Sequence, residues 1–515
     1  MGGSVLLFED LQAFPKPPTF ADVVGGWVFQ DVVWEDYEPL NVSSPCAGLL
    51  ASKDALESLG VPHTMTDVFD VDVRLRPALE RLLSNSAELH LGGGTGDITK
   101  TDVEWDPEAH CMITGPPCPP FSALGVRGGT ADPRERVFRA TTRILAERLK
   151  NPKFLFGLIE NVYGIYMKQK GISYAQRFAR DLLEALGPEA DVVVRSIMLT
   201  GRDVGIPQSR TRVWIVVMRH SLLNKAGVPE ENFMKQDLGV KILQKPLRDF
   251  LNLRLPLCAP RTAKQRQYRD EYVEILRAGG YFKSEHKGLT AVCDLGRGPK
   301  KVFGQFLRGD DQSLTLVRGN GALYLISLGD EIPEVMRYMH VAERAAVMGL
   351  NPTRLAGLSH SAAMSATGNA FMPQMVAHCL EPILRVVLDA GAWPMRSTMK
   401  VTTNPTTTQI GHSGNSDLVI DLTSDYDDMM RELVADLRLC RSATPQSVAA
   451  SQPSPTRMPP KSARRCGQAV LESFFVKRAR VDPAGGSPVP TTPAYFEMST
   501  PPVPKALTFD EAPPL

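Results

Sequence analysis

Gly115-Pro116-Pro117-Cys118-Pro119-Pro120-Phe121-Ser122 puts a single cysteine between two pairs of prolines. Proline fixes φ and lacks an N–H, so this stretch belongs neither inside a helix nor in the middle of a sheet; it is a stiff, extended loop. The apolar run Cys111-Met112-Ile113-Thr114 feeds it. The thiol is thereby expected just past a strand's carboxyl end, where open α/β sheets bind their ligands. A rigid loop that aims one thiol into a cleft suits a nucleophile. A buried, inert cysteine beside a proline turn is the competing reading, and the downstream sequence decides between them.

Farther on, Leu158-Ile159-Glu160-Asn161-Val162 is an apolar strand that ends on a carboxylate. Gln208-Ser209-Arg210-Thr211-Arg212 leads into Val213-Trp214-Ile215-Val216-Val217, and strand alternation would send Gln208, Arg210 and Arg212 to one side. Gly368-Asn369-Ala370-Phe371-Met372-Pro373 follows later. Singly, Glu160-Asn161 also fits a helix cap and the arginines a solvated edge. Around these segments the chain alternates short apolar strands, such as Leu40-Asn41-Val42-Ser43, with helical stretches at 53–60 and 138–150. This alternation predicts an α/β fold with a doubly wound, mostly parallel sheet. Four regions are expected: a catalytic domain over 1–220, a more basic and less periodic region over 221–335, a return segment over 336–394 that completes the first domain, and a tail over 395–515.

The 515 residues are 43% hydrophobic and 22% charged, enough for a large core and more than one domain. Eight scattered cysteines without a Cys-x-x-Cys pair argue against a disulfide framework and a zinc site, so no metal is expected. There is no apolar run of about 18 residues and no basic-then-apolar leader, so neither a membrane span nor a secretory signal is expected. Met1-Gly2 begins like a myristoylation site, but Leu6 stands where Ser or Thr is needed. A net charge of +1 leaves nucleic-acid binding to local patches such as Arg261-Thr262-Ala263-Lys264-Gln265-Arg266-Gln267-Tyr268-Arg269, Lys300-Lys301 and Arg308.

The Pro-Cys loop, the Glu-Asn-Val strand end, the Gln-x-Arg-x-Arg segment and the Gly-Asn-Ala segment, in this order, resemble the cytosine-C5 DNA methyltransferases over roughly residues 40–390. Asp132-Pro133-Arg134 matches that family's usual continuation. The resemblance implies the S-adenosylmethionine-dependent methyltransferase fold, with 221–335 as a target-recognition domain facing double-stranded DNA. It implies Cys118 as the nucleophile that adds to cytosine C6, and Glu160 bonded to N3 and the exocyclic amine. Arg212 would reach the cytosine O2 or the cysteine loop, and Arg210 a backbone phosphate. The guanidinium groups are expected to depress the thiol's pKa, and the target base to be flipped out of the duplex.

The implied methyl donor is S-adenosylmethionine, and here the chain departs from its relatives. The usual Phe-x-Gly-x-Gly-Gly turn is replaced by Cys46-Ala47-Gly48-Leu49-Leu50-Ala51, which keeps only Gly48. Gly48 and Leu49 would line the donor, Asp67 would take its ribose hydroxyls, Asp97 with Ile98 would read the adenine, and Pro117 and Asn369 would complete the wall. Pro119 also departs, since Gln commonly stands there. Two other readings stay open: a recruitment scaffold whose methyltransferase-like domain has lost turnover, and a tRNA cytosine-C5 methyltransferase.

Residues 401–515 hold 15 of the 41 prolines, with much Ser and Thr, and read as a disordered tail. Within it, Val419, Ile420 and Leu422, followed by acids, resemble a SUMO-interacting strand. Gln468, Leu471, Phe474 and Phe475 fit a sliding-clamp-binding box, with Lys477, Arg478 and Arg480 after it. Basic residues over 457–480 resemble a nuclear import signal, which gives a nuclear enzyme tethered to replication or chromatin.

Overall fold

In the computed structural model of the chain, the described residues are 5–396, leaving out 27, 84–87, 101–104, 119–134, 170–171, 235–241, 300–306, 310, 318–320 and 330–334. Pro119, Asp132-Pro133-Arg134, Lys300-Lys301 and every tail position named above, including Val419, Ile420, Leu422, Gln468, Leu471, Phe474 and Phe475, lie outside them.

Strands β1 (Leu40–Pro45), β2 (His63–Asp70), β3 (Glu88–Leu91), β4 (Cys111–Thr114), β5 (Phe156–Val162), β6 (Val193–Thr200) and β7 (Thr211–Met218) form one sheet in the order β3-β2-β1-β4-β5-β7-β6. From β3 to β5 all pairings are parallel, while β7 runs antiparallel to both β5 and β6. The expected mostly parallel, doubly wound sheet is therefore present, with one reversed strand. Because side chains alternate across a strand, each strand feeds two cores. Ile113, Leu158, Trp214 and Val216 enter a core shared with helices Ala51–Ser58 and Pro373–Asp389. Met112, Ile159, Val213, Ile215 and Val217 enter another, shared with helices Glu135–Leu149 and Tyr174–Leu186. Burial on both faces explains why the strands read as near-continuous apolar runs.

A second, antiparallel sheet of β8 (Thr290–Asp294), β9 (Leu307–Arg308), β10 (Leu323–Ser327) and β11 (Met336–Tyr338) has the order β9-β8-β10-β11. It has its own small core, in which Tyr272 and Leu276 of helix Ala263–Ala278 meet Cys293, Tyr324 and Ile326. Residues before that helix, including Leu222, Leu223, Phe250 and Leu251, still belong to the large core. The segment between β9 and β10 is stitched to the large sheet: Ser313 N donates to Pro207 O at 2.7 Å, Ser209 N to Ser313 O at 3.2 Å, and Thr315 Oγ1 to Ser209 O at 3.1 Å. After β11 the chain re-enters the large core through Val341–Ala346 and Pro373–Asp389. Its end is held by the amino-terminal segment, where Glu38 N donates to Pro394 O at 2.8 Å and Trp34 packs on Trp393 at 5.1 Å.

One buried ion pair lies under this frame. Asp67, inside β2, faces Arg148 of helix Glu135–Leu149, with Arg148 Nη2 3.0 Å from Asp67 Oδ2 and both side chains out of solvent. Asp106 joins them, its N–H donating to Asp67 Oδ1 at 3.2 Å and its carbonyl accepting from Arg148 Nη1 at 3.0 Å. Breaking one side of such a pair leaves an uncompensated charge, whereas removing both does not. Arg148→Met is expected to lower unfolding stability by about 3–5 kcal/mol. Asp67→Leu/Arg148→Met should cost less than the single change in urea titration.

Candidate active site

The carboxyl ends of β1 to β5 open onto one edge of the sheet, and β7, running backwards, brings its first residues to the same edge. Register then sets the contacts. Glu160 lies opposite Trp214 and Val162 opposite Arg212, so Glu160 and Arg212 are diagonal neighbours on one face. Arg212 Nε sits 2.6 Å from Glu160 Oε1, both side chains nearly buried. Neither atom has a directed hydrogen bond among the described residues, so they meet as charges. Cys118 follows β4 on its extended loop and is partly buried. Two contacts hold that loop, one to the β5 end and one to Phe371. Asn161 Nδ2 donates to Pro116 O at 3.4 Å. Gly115 lies so close to Phe371 that an added Cβ would fall 2.1 Å from the ring and 3.4 Å from Glu160 Oε2.

The structure corrects two expectations here. Burial raises the Cys118 pKa above the ordinary thiol value; Arg212 and Arg210 pull it down, Glu160 pushes it up, and burial outweighs the cations. The surroundings therefore raise the thiol's pKa where the sequence led us to expect it depressed. Arg210, expected on a DNA phosphate, is buried and turned to backbone carbonyls: Nη1 donates to Leu316 O at 2.9 Å and Gly368 O at 3.3 Å, and Nη2 to Ala370 O at 3.0 Å. It lies 4.0 Å from Glu160 Oε1, so it supports the site from behind. Gln208 is likewise internal, with Nε2 donating to Val347 O at 2.8 Å.

At the β1–β3 ends, the turn after β1 has left-handed backbone at Cys46, Gly48 and Leu50, with φ of 54°, 55° and 54°. Leu49 and Leu50 are buried in the large core. Gly48 N donates to Asp70 Oδ2 at 2.9 Å, and among the described residues no atom beyond its chain neighbours lies within 4 Å of where a Gly48 Cβ would stand, so the turn borders open space there. Asp67, expected to serve the ribose, is locked to Arg148 three residues inside β2. The residue at the strand's end is Asp70, which sequence reasoning missed although the apolar pair Val68-Phe69 continues the strand past Asp67. Burial raises the Asp70 pKa, against the pull of the Asp72 and Gly48 amides. Asp97 is set by its own turn, with Oδ1 accepting from Thr99 N at 3.0 Å and Thr99 Oγ1 at 2.8 Å, and Ile98 beside it is buried. Burial raises the Cys46 thiol's pKa, and the charges of Asp70 and, more weakly, Asp97 add to it. Pro117 is partly buried in the cysteine loop, and Asn369 is exposed at the end of helix His360–Asn369.

Beside β11, Arg261 stacks over Tyr338 at 4.9 Å and Lys264 over Tyr268 at 5.7 Å, while Arg269 pairs with Asp270 at 2.6 Å. Among the described residues no helix is long and apolar enough to cross a membrane. Nor does any group of three or more His, Cys, Asp or Glu among them suit a metal ion.

A family model described as C-5 cytosine-specific DNA methylase matches residues 87–385, more than half of the chain. Orphan methyltransferase M.SPRI of Bacillus phage SPR is 25% identical over 263 residues, 50% of this chain and 55% of that protein. Type II methyltransferase M.NlaX of Neisseria lactamica is 34% identical over 161 residues, 30% of this chain and 48% of that protein. The chain thus spans about half the length of these curated relatives. Among solved structures, the Entamoeba histolytica methyltransferase EhMeth aligns at 15% identity over 67% of this chain and 98% of that one, with a TM-score of 0.45.

Because Glu160 opposes ionisation of the thiol, neutralising it should lower the Cys118 pKa and raise the thiolate fraction at neutral pH. Glu160→Gln is expected to speed iodoacetamide alkylation of Cys118 about tenfold, as for a like charge removed at close range. Arg212→Met should slow it. Peptide mass spectrometry over pH 6–9 reads both rates.

Proposed function

The chain belongs to the C-5 cytosine-specific DNA methylase family, and from that premise we propose that it methylates C5 of a cytosine flipped out of duplex DNA. The observation that carries this reading is the meeting of the Cys118 loop, Glu160 and Arg212 at one sheet edge, with Arg212 2.6 Å from Glu160.

In this proposal the Cys118 thiolate adds to cytosine C6, forming an S–C6 bond and pushing the ring electrons toward C5. Glu160 donates a proton to N3 as negative charge builds there, and Arg212 holds the O2 side. The raised thiol pKa becomes part of the mechanism. Glu160 takes up the proton that Cys118 releases and passes it to N3; while Glu160 is neutral its repulsion of the thiolate is gone and the Arg212 attraction remains. Entry of the base is thus what frees the nucleophile. After C5 has been alkylated, its proton passes to water, Cys118 leaves C6 as a thiolate, and N3 returns its proton to Glu160, which restores the aromatic ring.

The β1–β3 edge fits S-adenosylmethionine, which when bound supplies an electrophilic methyl group. The left-handed turn at Cys46–Leu50, the open space over Gly48, and Asp70 and Asp97 beside it form a cradle for a nucleoside. Asp70 would take the ribose hydroxyls, Asp97 and Ile98 the adenine, and Gly48, Leu49, Pro117 and Asn369 the remaining wall. The small antiparallel sheet, with Arg261 and Lys264, is proposed to recognise the DNA. The tail would tether the enzyme in the nucleus, Gln468, Leu471, Phe474 and Phe475 to a sliding clamp, and Val419, Ile420 and Leu422 to SUMO.

Labelled methyl transfer to unmethylated and hemimethylated duplexes, with tRNA alongside, tests the reading. Transfer to DNA should vanish in Cys118→Ala. Asp70→Asn should raise the required cofactor concentration about tenfold or more, the worth of a charge-assisted hydrogen bond. No transfer from folded wild-type protein would overturn it. For the tether, a peptide spanning 464–482 should bind the clamp and lose binding on Phe474→Ala/Phe475→Ala; equal binding by both would reject the box.

A further inference from the structure

We infer that Phe371 is a positioning residue for Cys118: its ring fills the side-chain space that Gly115 leaves empty and so wedges the nucleophile's loop against the end of β5. This inference rests on the proposed methyl transfer for its meaning, but its geometry stands alone.

The ring occupies the place of a missing side chain. A Cβ on Gly115 would lie 2.1 Å from Phe371 Cε1 and 2.4 Å from Cζ, so the glycine is required by the ring. On its other side the same space borders Glu160 Oε2 at 3.4 Å. Phe371 is itself fixed. It is nearly buried, and it meets Trp214 edge-on at 5.8 Å. Trp214 lies directly opposite Glu160 in the β5–β7 register. The residue before it, Ala370, is held by its carbonyl to Arg210 Nη2 at 3.0 Å. The wedge thus joins the return turn, two residues beyond Asn369, to the first residue of the cysteine loop. Since Gly115 to Cys118 is stiffened by two prolines, a displacement at Gly115 is carried to the thiol instead of being absorbed.

A rescue experiment tests this. Gly115→Ala forces the ring and the loop apart, and should lower kcat at least tenfold while the KM for S-adenosylmethionine stays within twofold. Phe371→Leu should lower kcat less. Phe371→Leu/Gly115→Ala, in which the smaller side chain makes room for the new methyl, should recover most of the Gly115→Ala loss. A double variant as slow as Gly115→Ala, or a Gly115→Ala enzyme with unchanged kcat, overturns the wedge. The pH profile of Cys118 alkylation in the same three proteins gives a readout that needs neither cofactor nor DNA. It should shift in Gly115→Ala and return in the double variant, while alkylation of buried Cys293 stays slow in all three. If wild-type protein transfers no methyl group yet the alkylation profile shifts and returns, the wedge stands and the proposed activity falls.

Discussion

The antiparallel entry of β7 between β5 and β6 sets Arg212 against Val162, and so delivers a guanidinium to the edge where β4 and β5 bring a thiol and a carboxylate. A parallel strand in that position would have put the start of the strand at the far side of the sheet. Much else follows from this reversal. Trp214 is carried opposite Glu160, Arg210 falls just before the strand where it can reach Leu316, Gly368 and Ala370, and Gln208 is drawn to Val347. Charges gathered at such an edge, largely out of water, act on each other more strongly than they would on the surface.

Residues whose role depends on local chain geometry were legible in the sequence. The prolines around Cys118 announce a stiff loop, and the apolar run into Glu160 announces a strand end. Residues whose role depends on distant partners were not. Asp67 and Asp70 are chemically alike, and only Arg148, on a helix far along the chain, makes the first a structural ion and leaves the second at the strand's end. Arg210 and Arg212 sit two apart in one motif, yet the first turns to carbonyls contributed by residues 316–370. The thiol's pKa could not be read from neighbouring cations, because burial is a sum over the whole fold. Phe371 carried no signal, since a phenylalanine after Gly-Asn-Ala says nothing of the glycine it covers.

The turn after β1 holds left-handed backbone at two residues that are not glycine, Cys46 and Leu50. Leu50 holds a left-handed conformation that costs a non-glycine residue about 1–2 kcal/mol. Its side chain is fully buried, a gain of about 1.5–3 kcal/mol for a leucine. At Leu50 the two terms offset, and the amide of Gly48 reaches Asp70.

The small sheet with its helix lies between β7 and the helices that finish the large core, so the core is discontinuous in sequence. Val376, Leu380, Ile383 and Val387 cover the same apolar face as Leu40, Val42, Ala55 and Leu56. During synthesis that face waits for about 150 residues after β7 has emerged, roughly 8–30 s at typical elongation rates. Through that interval a nascent chain bears an uncovered hydrophobic sheet surface, the kind of species that chaperones hold and that aggregates when they are scarce. The insertion that gives the protein a second sheet therefore also makes its birth slow, and ties the integrity of its first strands to helix Pro373–Asp389.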